Sequence, residues 1–238
     1  MEFDEWEPIY KLILEDMHWD RIYDEAAART LSKLLETKAR KKIPDIIDIE
    51  LLHKAINGKD VLVCGKAPCL KDDIKNVDFK KFVVIVADGA TSILIKNGIA
   101  PDIVVTDLDG NMDDEAKANE LGAIMVVHAH GDNMDALGEE VPRLKKVIGT
   151  TQSTPLSNVY NFGGLSDGDR SVYLAKEMGA KSITLIGFDF NDTNVTPIKK
   201  KKLMWAEKLI DMIMGEMDLN SQILYRSNSS FLTGHKQT

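Results

Sequence analysis

Two carboxylates one residue apart, Asp107 and Asp109 in Thr106-Asp107-Leu108-Asp109-Gly110, are the residues of this chain best placed to do chemistry. Extended backbone would send both side chains the same way. Two unpaired carboxylates at that distance repel unless a cation sits between them, and a hard divalent ion such as Mg2+, which takes oxygen ligands, suits the pair. The structural alternative is that they only shape a turn and cap the next helix. A second polar cluster, His128-Ala129-His130-Gly131-Asp132-Asn133, follows the next apolar run. Its histidines could ligate a transition metal, although such residues more often orient a loop or contact substrate. Asp132 is expected to be a third oxygen ligand beside Asp107 and Asp109.

These groups need a scaffold that brings separate chain segments to one edge. The apolar runs 82–86 and 103–105 both end in acidic residues, Asp88-Gly89 after the first and Asp107-Leu108-Asp109-Gly110 after the second. Between them lies a helix-like segment, 91–97, closed by Gly98 and Pro101. Near-continuous Val and Ile runs predict strands covered on both faces, as in a parallel sheet. Further strands are expected at 60–64, 123–127, 147–150, 159–162, 182–186 and 223–226, with helices at 113–120, 171–178 and 203–214. This alternation predicts a doubly wound, mainly parallel α/β sheet with helices on both faces. Ligands of such sheets bind beyond the carboxyl ends of the strands, where both acidic groups fall.

Residues 1–57 carry apolar residues at helical spacing, among them Ile9, Leu12, Ile13, Leu31, Leu34 and Leu35. They predict a helical N-terminal region, broken near Pro44, that covers one side of the sheet. The α/β domain then occupies 58–238. With 238 residues, 44% hydrophobic and 29% charged, one main core can be buried. Thirty basic against 38 acidic residues leave a net charge of −8, which provides no positive field for nucleic acid or an anionic membrane. Two cysteines, Cys64 and Cys69, are too few for a disulfide framework, and no apolar run reaches membrane-spanning length. A cytoplasmic protein is expected, and the apolar stripe of the N-terminal helices makes a homodimer a reasonable expectation.

Three other stretches bear on the site. Gly65-Lys66-Ala67-Pro68-Cys69-Leu70 follows the first strand. The glycine permits close backbone approach to a ligand and Lys66 can meet a phosphate, but the loop matches neither a P-loop nor a dinucleotide fingerprint. In Gly163-Gly164-Leu165-Ser166-Asp167-Gly168-Asp169-Arg170, Asp167 or Asp169 is either a helix N-cap or a carboxylate for the amidine-like edge of a pterin or guanine ring. Lys199 to Lys202 form the densest positive charge in the chain. At a helix N-terminus they oppose the dipole, which favours a polyphosphate clamp over a solvated run.

Taken together, ADGATSILIKNGIAPDIVVTDLDGN, HAHGDN, GGLSDGDRS, GFDF and the lysine run resemble the archaeal 6-hydroxymethyl-7,8-dihydropterin pyrophosphokinase family. The core is also similar to thiamin pyrophosphokinase. The resemblance spans about 60–227 and leaves out the N-terminal helices. It implies Mg2+-dependent transfer of diphosphate from ATP to a pterin hydroxymethyl group in tetrahydromethanopterin or folate synthesis, with Asp107, Asp109 and Asp132 holding the metal. On that reading Lys202 joins the three aspartates in catalysis. Gly65, Lys66, Asp88, Gly89, Lys199 and Lys200 meet the nucleotide, while His130, Asn133, Asp167, Asp169 and Asp189 meet the pterin. The first loop departs from the G-x-G-P-S-L pattern of relatives, lacking the second glycine and carrying Cys69 for serine. Related loops occur in sialyltransferase-like proteins, so a glycosyltransferase using a nucleotide-sugar is the rival class, and a non-catalytic nucleotide-binding module the third.

Overall fold

A computed structural model describes residues 2–40, 49–216, 225–226 and 231–232. Seven parallel strands form one sheet: β1 (Asp60–Cys64), β2 (Val83–Ala87), β3 (Ile103–Thr106), β4 (Ile124–Ala129), β5 (Val147–Thr151), β6 (Val159–Tyr160) and β7 (Ser182–Ile186). Their order is β6-β5-β4-β3-β2-β1-β7. The chain therefore steps outward from β1 to β6, then returns to the far side of β1. That reversal between β1 and β7 is the crevice where doubly wound sheets bind ligands. A two-residue ribbon, β8 (Tyr225–Arg226) with β9 (Phe231–Leu232), stands apart from this sheet.

Alternate residues along each strand feed two separate cores. Val61, Val63, Ile85, Ile103, Val105 and Val126 point to one face. Leu62, Cys64, Val84, Val86, Val104 and Val127 point to the other. Both sets are buried, which is why the strands read as continuous apolar runs. The second face is covered by α4 (Leu70–Asp73), α5 (Thr91–Lys96), α6 (Met112–Glu120) and α7 (Met134–Glu140). The first is covered by α8 (Asp167–Glu177) and α9 (Pro197–Glu216).

The N-terminal helices do not cover one side only. α1 (Phe3–Met17) and α3 (Ile49–Ile56) bury Trp6, Tyr10, Ile13, Leu52 and Ile56 in the first core. α2 (Arg21–Arg40) buries Ala27, Ala28, Leu31 and Leu35 in the second. Each of these helices has its own apolar stripe, and the two faces of a parallel sheet both need cover. Between α1 and α2 the chain turns over the strand ends at His18, whose left-handed φ of 57° ends α1. The expected break near Pro44 lies outside the described residues.

Three element boundaries differ from expectation. β4 runs on through His128 and Ala129, so His128 is a buried sheet residue rather than part of the exit loop. α8 begins at Asp167, four residues early, because Ser166 and Asp169 form a capping box there. α9 begins at Pro197, a residue suited to the first helical position, so the four lysines lie inside the helix and spread around it. No described helix is long and apolar enough to cross a membrane.

Candidate active site

The exits of β2 and β3 bring three carboxylates together. Asp88, Asp107 and Asp109 each place an oxygen within 4.8 Å of the others. Asp107 and Asp109 converge for a reason other than the extended backbone expected of them. Leu108 between them is left-handed, with φ 67°, a conformation that costs a non-glycine residue about 1–2 kcal/mol. The Thr106 hydroxyl helps hold it by accepting from the Leu108 N–H at 2.8 Å. Gly110 then passes so close to Asp88 that any side chain there would collide with the carboxylate. Behind Asp88 lies Glu115, from the first turn of α6 and fully buried. Burial pushes both Asp88 and Glu115 above the ordinary carboxylate range.

Asp132 stands outside this three-carboxylate cluster, although it lines the same cavity. Its backbone N–H donates to His130 Nδ1 at 3.3 Å, and His130 Nε2 lies 3.2 Å from Asp107 Oδ2. With Nδ1 accepting, the ring proton sits on Nε2 and is donated to Asp107. Burial alone would push Asp107 up, but His130 and Arg170 outweigh it and hold that carboxyl well below its usual range. Both ring nitrogens of His130 thus have a partner, and Nε2 holds the Asp107 carboxylate while the ring lines the cavity. Asn133, expected to meet substrate, is instead a clip. Its amide donates to the carbonyls of Asp107 (2.8 Å) and His128 (2.7 Å), and its oxygen accepts from the His130 N–H at 3.1 Å.

The first turn of α8 supplies the next pair. Asp167 lines the cavity and accepts from Arg170 at 2.8 Å. Burial and the Asp107 charge push its carboxyl up to about 8 against the pull of Arg170. Asp169 does not reach the cavity. One of its oxygens accepts from the Leu165 N–H at 2.5 Å, the other from the Ser166 N–H at 2.9 Å and from the Ser166 hydroxyl. It is a helix cap, which leaves Asp167 alone as the candidate ring reader. Arg170, only 3% exposed and lining the cavity, went unremarked in the sequence because Asp-Arg at a helix start reads as surface charge.

At the β1/β7 crevice, Gly65 and Gly187 bring two backbones into contact: the Ala67 N–H donates to the Gly187 carbonyl at 2.8 Å, and a Cβ on Gly65 would lie 2.6 Å from that oxygen. The Lys66 side chain lies over Gly89, in the space that a Cβ there would need. Asp189, from the β7 exit, also lines the cavity, and its side chain accepts from the Asn191 N–H at 3.0 Å. The lysine run divides. Lys199 and Lys202, one helical turn apart, line the cavity, whereas Lys200 is exposed and outside it. Lys201 is tied to α1, donating to the Asp16 carbonyl (2.7 Å) and carboxylate (2.9 Å). Lys200 therefore drops out of the expected nucleotide contacts, since a helix turns about 100° per residue.

The resulting cavity holds about 800 Å3. The oxygen cluster fits a hard cation on its own geometry: Asp88 Oδ1 and Asp107 Oδ1 are buried and without a hydrogen-bond partner. Buried oxygens left unpaired are costly, and a divalent ion would satisfy them.

A doubly wound parallel sheet whose strand exits gather carboxylates in one cavity, with Lys66, Lys199 and Lys202 also lining it, defines an α/β protein with candidate cation ligands and candidate anion contacts in the same cavity. Residues 37–195 match the family described as 6-hydroxymethylpterin diphosphokinase MptE-like, and the chain belongs to that family. It is 42% identical over 226 residues to the 6-hydroxymethyl-7,8-dihydropterin pyrophosphokinase of Pyrococcus furiosus, covering 90% of this chain and 94% of that one. The protein of the same description from Methanothermobacter thermautotrophicus is 39% identical over 229 residues, covering 90% and 95%. Among solved structures, a thiamine pyrophosphokinase from Bacillus subtilis matches with a TM-score of 0.40 at 15% identity, over 69% of this chain and 59% of that one.

Proposed function

We propose that this chain transfers a diphosphate group from ATP to the hydroxymethyl oxygen of 6-hydroxymethyl-7,8-dihydropterin, with Mg2+ as the metal and AMP as the second product. The observation that carries the reading is the convergence of Asp88, Asp107 and Asp109, with two oxygens left unpaired, beside a wall that presents Lys199 and Lys202. Family membership and the names of the relatives favour a diphosphokinase over the glycosyltransferase and binding-module readings.

In the transfer, the hydroxymethyl oxygen bonds to the β-phosphorus, the bond from that phosphorus to the α–β bridging oxygen breaks, and the hydroxyl proton is lost. Charge spreads over phosphate oxygens, so positioning and fixed cations supply most of the rate. Magnesium held by Asp88, Asp107 and Asp109 would neutralise part of that charge. His130 keeps Asp107 ionised and aimed, and Asn133 fixes the two exits against each other. Lys66, Lys199 and Lys202 are the cations of the cavity wall suited to phosphate oxygens. Asp132, which lines the same cavity outside the three-carboxylate cluster, would contact the substrate. Asp167 is the carboxylate for the amidine edge of the pterin, and Asp189 lies on the same cavity wall.

Incubation with ATP, Mg2+ and 6-hydroxymethyl-7,8-dihydropterin should yield AMP and diphosphorylated pterin in equal amounts. AMP production that does not depend on the pterin refutes the reading, and transfer to thiamin in its place changes the acceptor. The product belongs to the synthesis of tetrahydromethanopterin- or folate-type cofactors.

A further inference from the structure

The N-terminal helices were expected to cover one side of the sheet, and at the turn between α1 and α2 His18, Trp19, Asp20, Tyr23 and Asp24 also line the cavity. The family match begins at residue 37, after all of them. The corner is fixed from several directions. Asp24, 6% exposed, accepts from the Tyr10 hydroxyl at 2.6 Å, the Gln152 amide at 2.7 Å and the Gly131 N–H at 2.9 Å. It thereby ties α1 and α2 to the exits of β4 and β5. Trp6 adds a bond from its indole N–H to the Gln152 carbonyl at 2.8 Å. Three good donors to one buried carboxylate is the arrangement that holds a wall in one place. A mere linker between helices would not require it.

What the corner offers is aromatic. The Trp19 ring lies under Lys202 Nζ at 5.3 Å, so it borders the cations assigned to phosphate. Tyr23 packs its Cβ against Gly131, directly behind His130, where a Cβ at position 131 would collide at 2.5 Å. Phe188 and Phe190 line the same cavity from the β7 exit, their ring centres 5.8 Å apart. A flat heteroaromatic ring whose reacting substituent must reach the phosphate needs a stacking surface next to the phosphate cations. Trp19 is next to one of them.

Resting on the diphosphokinase reading, we propose that the α1–α2 corner is the acceptor wall of the site: Trp19 and Tyr23 contact the pterin ring, and Asp24 is the positioning residue that keeps them there. The corner touches the phosphate cations through Trp19 and Lys202, and the nucleotide contacts of Lys66 and Lys199 do not depend on it. The test uses the full chain with Trp19→Ala, Tyr23→Ala, Asp24→Asn and, as control, Ile22→Ala. Ile22 is 58% exposed in the same corner and does not line the cavity.

Steady-state kinetics should show the KM for the pterin rising about tenfold in Trp19→Ala and less in Tyr23→Ala, the loss of one stacking contact. The KM for ATP should stay within about twofold in Tyr23→Ala and rise less than the pterin KM in Trp19→Ala, and Ile22→Ala should match the wild type. Calorimetric titration with the oxidised pterin, without ATP, should show the same order of weakening. Asp24→Asn keeps the shape and removes the charge, so it should raise the pterin KM while retaining the wild-type circular dichroism. If wild-type turnover is intact and Trp19→Ala and Tyr23→Ala leave both pterin constants unchanged, the corner is only a cover and the inference is overturned. A wild type that neither transfers to nor binds the pterin overturns the diphosphokinase reading instead.

Discussion

The exit of β3 and the first turns of α9 each crowd like charges into a few residues, and the fold treats them in opposite ways. Asp107 and Asp109 are turned toward each other and toward Asp88 by a left-handed residue, and two oxygens of the cluster lose every partner. The lysines are spread around a helix: Lys199 and Lys202 face the cavity, Lys201 is neutralised by Asp16, and Lys200 faces water. Carboxylates gathered this closely repel unless a proton or a cation sits among them, whereas charge dispersed on a helix needs neither to fold. The acidic loop thus holds its carboxylates together as a cation site would require. The basic run is organised around its own helix and lends two of its four members.

The sharpest way to break this contrast is Asp107→Asn. It removes charge from the concentrated cluster and should lower kcat by about a thousandfold or more, as loss of a metal-centred electrostatic contribution does; near wild-type AMP production would end the metal reading. Next in size, Lys202→Ala and Lys199→Ala should each lower kcat/KM by about ten- to a hundredfold, measured by AMP release at limiting ATP.

Asp88→Asn should separate stability from turnover. Its carboxyl is pushed up in the folded chain, so above the ordinary carboxylate range the folded state holds a proton that the unfolded state has released. Stability of the metal-free protein then falls as pH rises through neutrality. The asparagine variant should show a higher Tm than the wild type at pH 8 in chelator, with the pH slope flattened and turnover lost. An unchanged Tm in chelator would mean that the cluster carries no such strain. The smallest effect belongs to Lys200→Ala, expected within about twofold of wild type in both constants because the side chain is solvated.

The strands were legible because each is a β-branched run buried on both faces, and the reversal after β6 placed the site at their carboxyl ends. Asp107 and Asp109 were legible from spacing, but the reason they converge was not, since a left-handed Leu108 has no sequence signature of the kind glycine gives. Asp88 joins them because β2 and β3 are neighbours in space, a relation that one-dimensional spacing does not carry. Asn133, expected to meet substrate, and Asp169, expected either to cap the helix or to meet the ring, both bond backbone groups and neither lines the cavity, since polar residues at strand and helix ends serve backbone groups first. Glu115 and Arg170 were passed over because a charge in the first turn of a helix ordinarily faces solvent. The α1–α2 corner was invisible for a plainer reason, since its partners Gly131 and Gln152 are more than a hundred positions away.

Asp16 near the beginning of the chain grips Lys201 and Trp205 close to its end, and Trp6 meets Tyr173 edge-on at 6.0 Å. On the ribosome α1 must therefore wait for α9, 185 positions later, before it can settle. Its apolar stripe stays uncovered until then, so nascent chains cut short before α9 should recruit holdase chaperones strongly.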